Sequence, residues 1–197
     1  MTWWQILLLI LGVLLVVMGI AASLKARSLD RVHKNVTKSR IALERALVDR
    51  ARAALEVSRS GVLDVASAVV LADVATEAIE ASAYPIVDDG WEEISIADDS
   101  GRAIQRRSPD VGPDRLTIES ELSRALGHSV DGLDETSPEL GHLHNARVAV
   151  QMTRRFHNIH VSQARRVRKS RLVRILRLQG TAPEPVTVNL DDRIARE

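Results

Sequence analysis

Residues 3–24 read WWQILLLILGVLLVVMGIAASL, a stretch without a single charged side chain, in which only Gln5 and Ser23 are clearly polar. Thirteen of its 22 positions are Leu, Ile or Val. At about −0.3 to −0.6 kcal/mol each on the insertion scale, these residues favour a bilayer by roughly 4–8 kcal/mol. As a helix, 22 residues extend about 33 Å, enough for a hydrocarbon core of about 30 Å. Trp3 and Trp4 stand at one rim, where indoles prefer the headgroup layer. Lys25, Arg27, Arg31, Lys34, Lys38 and Arg40 follow the other rim, with Asp30 the only acid among them. The reading is a single-pass membrane protein: residues 1–24 anchor it, and 25–197 form one domain. The charge asymmetry orients it with the N-terminus outside the cell membrane and the domain in the cytoplasm. A cleaved signal peptide is the competing reading, with Gly19-Ile20-Ala21 as its cleavage box. It would need a basic n-region, and Met1-Thr2-Trp3-Trp4 supplies none. The absence of cysteine agrees with a reducing compartment.

The rest of the chain holds only Tyr84, Trp91 and Phe156 as aromatics, and is rich in Ala, Val, Leu and Arg. Its valines lie among helix formers rather than in alternating runs, which points to an all-α domain. The expected architecture is an antiparallel bundle of three long helices and one short one. In residues 29–59, Leu29, Val36, Leu43, Arg50 and Val57 share a heptad register, with Val32, Ala46 and Ala53 filling the alternate seam positions. This coiled-coil pattern describes a helix laid against a partner. Arg50 is expected to bend out to solvent rather than to pair inside the bundle. Ser60-Gly61 ends the helix. A second helix starts at Asp64 and runs to about Ala83, with Val65, Val69, Ala72 and Ile79 on its packed side. Residues 84–113 read as an irregular acidic insert rich in turn residues. Asp114 caps a short helix carrying Leu116, Glu119, Leu122 and Leu126. Ser137-Pro138 opens a long helix expected to reach about Leu178. Residues 181–197 form an extended tail in which Val186-Thr187-Val188 makes a strap.

Charge is sorted along the chain. Residues 84–139 hold 14 acidic and 5 basic residues, whereas 140–180 hold 10 basic residues and no acid. Neutralisation of the basic helix by the acidic region is one reading. The other is an anion-binding surface formed by Arg165, Arg166, Arg168, Lys169, Arg171, Arg174 and Arg177. With Leu172, Ile175 and Leu176 on the opposite face, that surface suits anionic lipid. Topology discriminates: with three main helices the basic end lies away from the bilayer, and with four it returns toward it. Nucleic acid is disfavoured because aromatic stacking platforms are scarce. His157 and His160 lie one turn apart, as two metal ligands would, but no acid follows Glu139 on that helix, so no metal or cofactor is assigned. No phosphate-cradling Gly-rich loop, Gly-x-Ser-x-Gly or His-Glu-x-x-His occurs, and no catalytic residue is assigned.

The segment Arg154-Arg155-Phe156-His157-Asn158-Ile159-His160-Val161 resembles the closing motif of the LemA family, an Arg-aromatic-Tyr-Asn-x-x-Val stretch on the last long helix. Arg155, Phe156, Asn158 and Val161 match, and His157 stands where the family has Tyr. Leu47-Val48-Asp49-Arg50 is similar to the family's Arg-containing region, and the Pro-containing tail from Pro183 to Asp192 also looks like LemA. Ala164-Arg165 replaces the family's second Tyr-Asn pair. The resemblance implies a membrane-held helical bundle without an established catalytic activity. The expected role is a scaffold that binds a protein partner through the motif residues, with anionic-lipid binding by the Arg-rich helix as the alternative. Asn158, costly inside a helix, is expected to hydrogen-bond a neighbouring segment and fix its register.

Overall fold

The computed structural model describes residues 2–87, 114–133, 137–175 (Leu172 by its backbone alone) and 184–192. All regular structure among them is helical: α1 (Trp3–Arg59), α2 (Val65–Ala81), α3 (Arg115–Ser129), α4 (Pro138–Arg168) and α5 (Arg171–Ile175).

Helix α1 is one unbroken run of 57 residues, about 85 Å long at 1.5 Å per residue. Its first part is long and apolar enough to cross a membrane. Every side chain from Trp3 to Ile20 is exposed, and partial cover begins at Ala21. Further on, the heptad seam is buried: Val36, Leu43, Ala46, Ala53 and Val57 all face the interior. The helix ends where the sequence predicts, because Gly61 adopts φ +78°, a left-handed conformation that side-chain-bearing residues avoid.

The other helix starts follow from local chemistry. The Asp64 carboxylate accepts from the N–H groups of Ala66 and Ser67, and that of Asp114 accepts from Leu116. Ser137 Oγ accepts from Leu140 N–H, with Pro138 in the first turn. Each capped end satisfies donors that would otherwise have no partner within the helix.

Helix α4 runs antiparallel to α1. Glu56 meets His142, Ser39 meets His157, and Val36 packs with Val161 and Ala164. Helices α2 and α3 pack beside the distal half of α1, where Ala51, Ala54, Ala75 and Ala78 allow close approach around Leu71, Leu122, Leu126 and Leu143. A second cluster joins Leu43, Leu47 and Val150 to Val188 and Leu190 of the strap. Residues 184–192 form neither helix nor strand and lie against α1 and α4 through Val188 and Leu190.

Four expectations change. The packed face of α2 is Leu71, Ala75 and Ala78, while Val65 and Val69 are exposed on the opposite side. Ile79, also expected on the packed side, does pack against that core together with Val74. At 15 residues, α3 nearly equals α2, with 17, so three long helices and one short one misdescribe the set. The last long helix stops at Arg168, and the chain turns at Lys169-Ser170 before the five-residue α5. Arg50 is buried rather than bent to solvent. The insert's residues 88–113, Leu176, Arg177 and the expected stop at Gln179-Gly180 lie outside the described residues.

Candidate functional site

Arg50 takes a seam position on α1 because α3 supplies its partners. Its guanidinium donates to Glu119 Oε2 at 2.8 Å, to the Glu119 carbonyl at 3.1 Å and to Ser123 Oγ at 2.8 Å. Arg115 Nε lies 3.4 Å from the other oxygen of Glu119, and Arg115 also donates to the Tyr84 carbonyl. Burial pulls the Arg50 pKa down, and the Glu119 carboxylate opposes that pull. The sequence carried a signal for this group. Glu119 falls among Leu116, Leu122 and Leu126, so the stripe of α3 that enters the core brings an acid to meet the seam arginine. A cavity of about 10 Å³, lined by Arg50, Ser123, Leu126, Arg147 and Asp192, adjoins it. That is room for about one water, far below the roughly 300–1,000 Å³ of a ligand pocket.

The four motif residues of α4 divide into two pairs. Val161 is buried against Val36. Asn158 reads the backbone of the strap: its Nδ2 donates to the Val188 carbonyl, and its Oδ1 accepts from the Val188 N–H, both at 2.9 Å. The expected register-fixing role thus falls on the tail. Arg155 and Phe156 instead face solvent. Phe156, 58% exposed, lines up with Met152 and Ile159 at i−4 and i+3, giving α4 an apolar stripe on its outer side. His157 turns inward, its Nδ1 3.2 Å from Ser39 Oγ.

The basic residues also separate. Arg154 grips the Asp192 carboxylate with two hydrogen bonds of 2.8 Å. Arg165 donates to the Pro185 carbonyl and lies 3.4 Å from Glu184. Arg147 pairs with Asp131 at 2.6 Å. Two acids of the tail, which the sequence reading did not assign to this task, therefore neutralise part of α4. Arg166, Lys169, Arg171 and Arg174 are exposed, and Arg168 is half-buried near His33. Arg177 lies outside the described residues. Ile175, expected on an interfacial face, is 74% exposed, whereas Val173 is buried. No group of three or more His, Asp or Glu is placed to hold a metal ion among the described residues.

No protein-family model, curated protein or solved structure matches the chain. One face of α4 is tied down by residues 184–192 and another presents an apolar stripe beside the exposed Arg155.

Proposed function

We propose that this protein is a non-enzymatic, membrane-tethered helical adaptor of LemA-like type, held by residues 1–24 with its bundle in the cytoplasm. The observation that supports this reading most directly is the Met152–Phe156–Ile159 stripe. A helix face with three exposed apolar side chains at helical spacing suits a partner helix bearing a matching apolar ridge. Arg155 beside the stripe favours carboxylates on that partner. Tethering to a membrane raises the local concentration of both proteins without any further contact, so the role calls for no active site.

The test is recovery of one defined protein from detergent extracts by the full chain and by Phe156→Asp. Phe156 is solvent-facing, so the variant keeps its helix content by circular dichroism. The reading expects a protein recovered by the unaltered chain and lost with the variant. Identical recovery by both, with helicity unchanged, rejects the stripe as the docking face.

A further inference from the structure

The antiparallel course of α4 brings its basic end back to the apolar part of α1. Along α1, Val36 is 12 residues beyond Leu24, about 18 Å, and it packs against Val161 and Ala164. His33, about 14 Å beyond Leu24, is close enough to Arg168 for the guanidinium to bias its protonation. Helix α5 then packs on α1 as well as on α4. Two basic groups far apart in sequence thus share one end of the bundle. Arg27, Arg31, Lys34 and Lys38 come from α1, and Arg166, Lys169, Arg171 and Arg174 from α4 and α5, all of them exposed. Lys34 is paired with Asp30 in an open salt bridge. Asp30 is the sole acid in residues 25–40, and none occurs in 140–180.

Basic residues orient a span only when they lie within about 15–20 residues of it. Arg166–Arg174 follow Leu24 by more than 140 residues, so topogenesis does not account for them. Core packing does not either, since their side chains are exposed. We infer that this end of the bundle is a binding surface for anionic phospholipid headgroups, formed by α1 basic residues together with Arg166, Lys169, Arg171 and Arg174. The inference rests on the membrane-anchored reading but not on the adaptor role. Each basic residue held near a negative bilayer surface adds attraction, and the two sets act on the same patch of membrane.

The experiment reconstitutes the full chain into phosphatidylcholine vesicles containing trace photoactivatable phosphatidylserine or phosphatidylcholine, and compares cross-linking yields. The unaltered protein is expected to favour the anionic probe by about fivefold or more, with the preference falling as salt rises. Combined replacement of Arg166, Lys169, Arg171 and Arg174 by Gln should bring the ratio close to that given by the α1 residues alone. Arg166→Lys, Arg171→Lys and Arg174→Lys together should retain the original ratio, separating charge from folding. Equal yields with both probes, or a ratio that the Gln variant leaves unchanged, overturns the inference while leaving the anchor intact. Failure of the chain to enter vesicles at all overturns the anchor and this inference together. Loss of preference in the Lys variant would also reject it, since a headgroup surface needs charge and not arginine geometry.

Discussion

Two stretches of α1 share a helix and differ in everything around it. Residues 3–20 leave every apolar side chain open, whereas from Val36 to Val57 the same helix buries a seam at seven-residue intervals. In the first stretch apolar residues occupy all faces, so no single partner helix could cover them. In the second they are confined to the side that α4, α2, α3 and residues 188–190 cover. On that side the fold accepts a guanidinium, because α3 delivers a carboxylate to the same level. The two halves differ both in how much apolar surface they carry, since residues 36–57 hold eight charged side chains and 3–24 none, and in how it is distributed around the helix axis.

The largest effect should come from breaking the ionic group in the covered half. Glu119→Ala leaves Arg50 and Arg115 facing the space of one missing carboxylate, and should cost about 3–5 kcal/mol or more in denaturant unfolding. Arg50→Met should cost less, because it removes a buried charge, fits a similar volume and leaves Glu119 with Arg115. A smaller loss for Glu119→Ala than for Arg50→Met would show that Glu119 is not the hub. Next comes a matched pair on the one helix. Leu47→Ala, in the buried seam, should destabilise the bundle by about 2–5 kcal/mol. Leu11→Ala, on the open half, should leave its unfolding midpoint unchanged. Similar shifts for both would mean that the open half is covered in solution.

The smallest effect belongs to the region between the two stretches. Burial and then the nearby Arg168 hold the His33 imidazole below its ordinary pKa, against a weaker upward pull from Asp30. The folded state therefore prefers the neutral ring. Its contribution is full above about pH 6.5, the unfolded value, and is lost as pH falls below that toward the depressed folded value. Stability measured between pH 7.5 and 5.5, on the order of the ordinary histidine range, should decline less in His33→Gln than in the unaltered chain. Parallel declines would remove His33 from the account.

Much of this architecture was legible in the sequence where a local rule acts. Asp64, Asp114 and Ser137-Pro138 announce helix starts through their own hydrogen bonds, and the α1 seam announces itself through its period. The hydrogen bonds of Asn158 to a neighbouring segment followed from the cost of an amide inside a helix. Longer-range choices were less visible. Period alone placed Val65 and Val69 on the packed side of α2, but the side that meets α1 and α3 carries Leu71, Ala75 and Ala78 instead. Arg50 needed knowledge of which helix faces it. The separation of the motif into inward Val161 and outward Phe156 depends on where the tail lies, and that is a property of the whole fold.

The continuity of α1 has a mechanical consequence. With no hinge between Leu24 and Arg59, the helix is a stiff lever about 50 Å long on the bundle side. If a bilayer holds its apolar end, a change of about 20° in tilt, within the usual range for spans, swings Arg59 sideways by roughly 18 Å. Bilayer thickness would then set how far from the membrane surface, and at what angle, the outermost turns of the bundle are presented.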